Sequence, residues 1–449
     1  MRTTRVTRRR FLARSLAAAG ALGGVPLPAR PLLAADNTVP PSNRVTLGCI
    51  GLGIQGTQNM RTFLGHPEVR VLAVCDVHET QRHQARDLVN TFYENSDCTA
   101  HRDFRELLAR PDIDAVLIAT PDHWHALIGA AAARQRKHMY MEKPVGWSFT
   151  AAHALEKAVR EAGVAFQFGT QQRSSSNFRF ACELVRNGRV GQLQRILVGV
   201  PGSVCSCPPQ PVEPVPKELD YDLWLGPAPL APYCHQRCRP YSQKEGWSVW
   251  YGILDYCLGM IANWGVHHLD IAQWGNNTEL SGPVEIEGRG VFPPNLLTDA
   301  AIRWQVENRY ANGVTLTHMD DATSQGHARQ VAGHGHGVMF QGTEGWVHVD
   351  RQKLETHPAA LLKSTIRDDE VRLFKSDNHH HNFISAVKGQ TRTAAPIDVA
   401  VRTDTLCNLQ HIAVRLQRKL RWDPVNERFL QDDEANALLD RPMRAPWKL

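Results

Sequence analysis

Val45-Thr-Leu-Gly-Cys-Ile-Gly51-Leu-Gly53-Ile-Gln-Gly56-Thr-Gln-Asn-Met60 decides how this chain is read. An apolar run ends in Gly-x-Gly-x-x-Gly and passes into a helix-capable segment, the pattern of a strand, a tight turn and a helix N-terminus. Gly51 permits the turn, Gly53 lets the backbone approach a pyrophosphate, and Gly56 lets the helix pack closely on the strand. The N–H groups that open the helix, around Ile54 and Gln55, are then available to phosphate oxygens. Three glycines alone are a common pattern, so the reading leans on Asp76. This acid stands 20 residues after Gly56 and closes the apolar run 69–75. A carboxylate at the end of the second strand binds a ribose 2′-hydroxyl and repels a 2′-phosphate, so the dinucleotide expected is NAD rather than NADP.

Upstream, residues 1–34 read as an export leader. Thr7-Arg-Arg-Arg10-Phe-Leu12 has the twin-arginine pattern, a mild apolar stretch covers 16–25, and Leu32-Leu-Ala-Ala35 offers a small-residue cleavage site. The apolar stretch is too short and too rich in glycine to span a bilayer, and nothing else in the chain reaches spanning length without charge. Export through the twin-arginine route, to the periplasm or beyond, is therefore expected, with no membrane anchor. The leader also accounts for the basic charge. The whole chain carries 51 Lys and Arg against 45 Asp and Glu, but seven of the arginines and none of the acids lie in residues 1–34. The remainder is close to neutral, which removes the electrostatic case for nucleic-acid binding.

After a linker at 35–44, residues 45–168 alternate short apolar runs with helical segments, as a doubly wound parallel sheet requires. Strands are expected at 69–75, 114–120, 138–141 and 164–168, and helices at 78–92, 104–108, 123–134 and 149–161. From 169 to 449 the pattern changes to alternating stretches at 194–200, 284–288, 301–305, 313–318, 337–340 and 345–349. These predict an open, mainly antiparallel sheet in a second α+β domain. A long Pro- and Cys-rich connection fills 201–246, and loops of that length carry function or are disordered. The region 378–449 is expected to be helical, with segments at 378–387 and 398–419, the latter amphipathic.

Three stretches fall where strands of the first domain end, over the cofactor crevice: Ala119-Thr-Pro121-Asp-His123-Trp-His125, Met141-Glu142-Lys143-Pro144 and Gly169-Thr-Gln171-Gln172-Arg173. Gly-x-Gly-x-x-Gly, then Thr-Pro-x-x-x-His, then Glu-Lys-Pro at this spacing resembles the Gfo/Idh/MocA oxidoreductase family. The resemblance implies that Thr120, Pro121, His123, His125 and Glu142 line the nicotinamide and its ribose, and that Lys143 is the catalytic lysine. Hydride transfer from a carbinol also releases a proton, so a donor–acceptor must touch the substrate oxygen. Asn263-Trp-Gly-Val-His267-His268-Leu-Asp270 resembles the family's Asp-x-x-x-His helix, with Asn263 where the family has aspartate. Residues i and i+4 share a helix face, but an amide cannot titrate. Lys143 and His267 are thus the expected acid/base pair, with Asn263 orienting. Gln171, Arg173 and Asp270 are expected at the substrate, His268 in a structural role. The resemblance further implies a homodimer or homotetramer assembled through the open sheet.

Five tryptophans (224, 247, 250, 264 and 274) crowd around that helix. Indoles stack on sugar rings as well as fill cores, and as a cluster they point to a carbohydrate or cyclitol substrate. Cys205, Cys207, Cys234 and Cys238 are compatible with free thiols, a disulfide or a metal. No metal is assigned, and the histidines at 334, 336 and 379–381 are expected to be solvated. The periplasm holds no NAD pool, so an exported enzyme has to retain its cofactor and restore it within each cycle. The leading expectation is an oxidoreductase acting on a ring hydroxyl. The alternatives are a redox glycosidase (transient oxidation, elimination, hydration and reduction) and a non-catalytic sugar-binding protein.

Overall fold

The computed structural model describes residues 40–202, 206–239, 246, 248–320, 322 and 336–449. The leader at 1–34, Cys205, Trp247 and His334 lie outside the described residues. Two sheets organise the rest. The first has six parallel strands: β1 (Val45–Ile50), β2 (Val69–Cys75), β3 (Thr99–His101), β4 (Ala115–Ile118), β5 (His138–Met141) and β6 (Phe166–Phe168), in the order β3-β2-β1-β4-β5-β6. Between them run α1 (Ile54–Leu64), α2 (Glu79–Tyr93), α3 (Phe104–Leu108), α4 (Asp122–Arg134) and α5 (Phe149–Ala162). Strand order reverses between β1 and β4, which pair from Leu47↔Ala115 to Ile50↔Ile118. The turns after both strands therefore open into one crevice, the topological switch point where α/β sheets bind ligands.

The chain then continues through α6 (Ser176–Arg186) into the second sheet. It contains β7 (Leu193–Val200), β8 (Glu285–Val291), β9 (Arg303–Arg309), β10 (Thr315–Asp320), β11 (Gly337–Gly342), β12 (Trp346–Val349), β13 (Leu354–His357), β14 (Lys419–Asp423) and β15 (Arg428–Phe429). Their order is β13-β12-β11-β7-β10-β9-β8-β14-β15, antiparallel throughout except for β7 with β10. The connection at 201–246 is not a bare loop. It carries the short helices α7 (Tyr221–Leu225) and α8 (His235–Cys238), and Leu219, Trp224, Tyr233, Ile253 and Tyr256 give it a small core of its own.

Met260–Asn263 (α9) and Gly265–Asn276 (α10) are separate helices joined at Trp264, so the expected continuous i, i+4 turn is broken there. Farther on come α11 (His379–Val387) and α12 (Ile397–Leu416). The last of these is not amphipathic as expected. It is buried on all sides, packed on α5, α10 and β8. Its polar residues bond inward: Gln410 Oε1 lies 2.6 Å from His318 Nδ1, and Thr403 donates to Asp270 Oδ1 at 3.3 Å. It ends at Gln417 in the left-handed region, and the alternating Lys419–Asp423 becomes an additional strand rather than more helix. Helix α11 returns to the first sheet, where Phe383 and Ile384 join the core of Leu47, Phe63 and Val71. Two of its three histidines are accordingly not solvated: His379 Nε2 lies 2.7 Å from Phe168 O, and the His380 ring stacks on Tyr140, while His381 is exposed as expected.

Burial holds His267 and His268 neutral, well below their ordinary value, together with six further histidines. His123, His379 and His411 are pulled down to about 3, and His125, His318 and His380 to about 4. An unfolded histidine binds a proton below about 6.5, so between that pH and the folded values unfolding takes protons up and stability falls as pH falls. Asp122, raised to about 7 chiefly by burial, acts in the opposite sense above its unfolded value, as do Asp76, Asp255 and Asp404, which burial also raises, but the histidines outnumber these acids. Each fully engaged histidine contributes a slope of about 1.4 kcal/mol per pH unit. The urea midpoint should therefore drop steeply from pH 7 to pH 5; a flat midpoint would mean that these imidazoles are not buried neutral.

Candidate active site

The crevice between β1 and β4 extends across to α9 and α10 as one cleft of about 450 Å³. Its floor is made by the glycine turn. Gly51 has φ +83°, and a Cβ there would stand 2.6 Å from the Ala119 carbonyl; a Cβ on Gly56 would stand 1.9 Å from Gly51 O. Gly53, by contrast, faces open space, and it leaves the N-terminus of α1 without a side-chain cap. That combination, a closely packed turn and an open, uncapped helix start, is a cradle for a pyrophosphate. Asp76 lines the same end. Its Oδ2 accepts from Leu52 N at 2.7 Å and its Oδ1 from His78 N at 2.8 Å, which fixes the carboxylate at the rim where a ribose hydroxyl would be met. Burial pushes its pKa up against those two backbone hydrogen bonds.

At the other end Glu142 is locked in place. It accepts from Asn59 Nδ2 at 2.8 Å, from Gln55 Nε2 at 3.2 Å and from Lys143 N at 3.3 Å. Gln55 thus enters the site through its side chain as well as its position at the helix start. The next residue, Lys143, points across the cleft and donates from Nζ to Asn263 Oδ1 at 3.2 Å. Asn263 Nδ2, His267 Nδ1 and Thr120 Oγ1 are buried and have no hydrogen-bond partner among the described residues. All three residues line the cleft, so they hold donor and acceptor capacity for a bound molecule. Burial, followed by the charges of Lys143 and Arg351, pulls His267 well below its ordinary pKa. It is a neutral base at neutral pH. His125 supports this wall from behind, its Nδ1 2.5 Å from Pro144 O and its Nε2 2.8 Å from Thr120 O.

Four of the expected site residues are placed elsewhere. His123 turns away from the cleft into a pocket of Trp124, Trp147, Trp224 and Tyr256, with Nε2 3.1 Å from Trp224 O. It is a core residue. Arg173 and Asp270 do not line the cleft either, because each consumes the other. Arg173 Nε lies 2.7 Å from Asp270 Oδ2 and its Nη2 lies 2.8 Å from Oδ1, with both side chains almost fully buried. Gln171 is exposed and donates to Tyr140 Oη at 3.2 Å. The 3₁₀ turn Gln171–Ser174 places Gln172 behind the site instead: with its amide oriented to suit its neighbours, it donates to His267 O at 2.6 Å and accepts from Arg351 Nε at 3.3 Å.

Other lining residues went unread in the sequence. Asp122, between two motif residues, lies beside Lys143 with its carboxyl pushed up to about 7, mainly by burial. Arg351, in the turn after β12, belongs to no motif. Of the tryptophan cluster, Trp224, Trp250 and Trp264 line the cleft, while Trp274 lies under the Arg173 guanidinium. Cys207, Cys234 and Cys238 are free thiols, and burial raises the pKa of Cys207 and of Cys238. No helix among the described residues is long and apolar enough to cross a membrane.

A parallel sheet with a dinucleotide cradle and an open second sheet thus meet over one cleft. Residues 45–170 match the family model described as oxidoreductase family, NAD-binding Rossmann fold, and residues 208–449 match its C-terminal alpha/beta domain. The chain belongs to the Gfo/Idh/MocA oxidoreductase family, and its first domain is an NAD-binding Rossmann domain. It is similar to the myo-inositol 2-dehydrogenase of Thermotoga maritima, 27% identical over 146 residues, which cover 32% of this chain and 42% of that one. It is also similar to a glycosyl hydrolase family 109 protein of Saccharopolyspora erythraea, 36% identical over 105 residues and 23% of each chain. The matches span about two fifths of the length of the first of these curated relatives. Among solved structures, a levoglucosan dehydrogenase in complex with NADH and levoglucosan superposes with a TM-score of 0.60 at 15% identity, covering 84% of this chain and 99% of that one. At that identity the likeness is one of fold.

Proposed function

We propose that this chain moves a hydride between a ring carbinol of a sugar, glycoside or cyclitol and NAD. The observation that carries the reading is the Lys143 Nζ to Asn263 Oδ1 hydrogen bond of 3.2 Å, made beside a neutral His267 in the same cleft as the Gly51–Gly56 cradle. Bound NAD would supply the hydride acceptor, held by the turn, by Asp76 and by the wall of Thr120, Pro121 and Glu142. Lys143 would hold the substrate oxygen through Nζ and shuttle its proton, and Asn263 would aim the ammonium. His267, with Nδ1 unengaged, would be the second proton acceptor. Trp250, which also lines the cleft, offers an indole for a sugar ring.

The glycosidase reading draws support from the family 109 relatives, which are named glycosyl hydrolases. It uses the same residues, with proton removal from a carbon next to the oxidised one as the additional task of the base. Export is part of the proposal on the strength of the leader motif, and a retained cofactor follows from it. The discriminating experiment incubates the NAD-loaded protein with free sugars and aryl glycosides. Ketosugar formed together with NADH or a reduced co-substrate is the expected outcome. Aglycone released without net NADH would replace it by the glycosidase reading, and sugar binding without turnover would refute both.

A further inference from the structure

The Lys143 end of the cleft carries a positive charge that no described residue neutralises. Arg351 lines the cleft beside Lys143, Asn263 and His267. Its guanidinium lies over the Trp264 ring at 4.5 Å, and its Nε donates to Gln172 at 3.3 Å. These two contacts hold the group against the wall, its remaining N–H donors undirected by any ion pair among the described residues. Among the described residues no carboxylate oxygen comes within 4 Å of it. The adjacent Asp350 is occupied in its own turn, accepting from Gln352 N and Lys353 N at 2.7 Å. Among the described residues the acid that acts on Arg351 is Glu142, whose oxygens are already taken by Asn59, Gln55 and Lys143 N. Arginine pairs are the usual way to satisfy a desolvated guanidinium, and a fork left open beside a reacting centre is suited to a planar oxyanion.

We propose that Arg351 anchors a carboxylate on the substrate, so that the enzyme acts on sugar acids of the hexuronate class in preference to neutral sugars. This rests on the oxidoreductase reading above for the chemistry, though not for the binding. A dianionic phosphate would call for more donors than one stacked guanidinium beside Lys143 offers, which is why the carboxylate is preferred.

The test uses the NAD-loaded protein with three matched probes, glucuronate, glucose and glucose 6-phosphate, extended to other hexuronates and their hexoses. Both kcat/KM and calorimetric Kd are measured for wild type, Arg351→Gln and Arg351→Lys. Wild type should favour the acid over its neutral counterpart by about 10- to 100-fold, the range of a charge-assisted hydrogen bond. That ratio should collapse towards one in Arg351→Gln and survive in part in Arg351→Lys. An equal preference for acid and neutral sugar, a ratio unmoved by Arg351→Gln, or a preference for the phosphate would each overturn the assignment. If no probe is turned over, the oxidoreductase reading fails, and calorimetry still decides the anchor: acid binding lost in Arg351→Gln supports it, and binding indifferent to the substitution rejects it.

Discussion

Replacing Lys143 by Ala should lower kcat/KM by about 10³-fold, within the range that positioned acid–base groups contribute, while NAD affinity changes little. The asymmetry follows from where the lysine's atoms go. Its backbone N–H helps to fix Glu142, and that contact survives the substitution; its Nζ reaches only across the cleft, to Asn263. The cofactor cradle is built from Gly51, Gly53, Gly56 and Asp76, none of which depends on the lysine side chain. Lys143→Arg should be nearly as inactive as the alanine variant, because a guanidinium keeps the charge but does not give up a proton. Turnover by Lys143→Ala above about a tenth of wild type would transfer the proton step to His267 or Asp122. A parallel loss of NAD binding, followed by fluorescence titration, would instead make the lysine a cofactor ligand.

The first domain was legible because local chemistry and position coincide there. A glycine that must adopt φ +83°, a second that must admit a carbonyl, and an acid at the end of the next strand each leave a mark in sequence that only one arrangement explains. Glu142-Lys143-Pro144 was legible for the same reason. What failed were inferences about side-chain direction. Arg173 follows a motif and Asp270 stands three residues from His267, yet sequence does not show that a strand-end turn and a helix more than 90 residues apart bring them together as a pair. His123 and His125 stand two residues apart on α4 and so point to different sides of it, one into an aromatic pocket and the other to the Thr120 carbonyl. Arg351 left no mark at all, since its role depends on the turn after β12 reaching Trp264 across the sheet. Helix α12 misled through its polar residues, which serve an internal network instead of solvent.

Asp270→Ala should destabilise the protein by about 3–5 kcal/mol, the cost of leaving one partner of a buried ion pair behind. Burial works against the charged Arg173 guanidinium, and Asp270, assisted by Glu279 at 3.5 Å, outweighs it. Without Asp270 only the more exposed Glu279 and the face of Trp274 remain, 4.8 Å from the guanidinium. Thr403 on α12 also loses its acceptor, so the damage spreads to the helix that ties the two sheets together. Removing both charges in Arg173→Met/Asp270→Ala should recover most of the loss, since an apolar replacement of a buried pair is often close to neutral. The urea midpoints of the two single variants and the double variant give the coupling directly. The folded fraction of Asp270→Ala, at a temperature well below its transition, should keep a KM close to wild type. A raised KM with unchanged stability would restore the acid to the substrate site; unchanged stability in all three variants would show that the buried pair does not hold the fold.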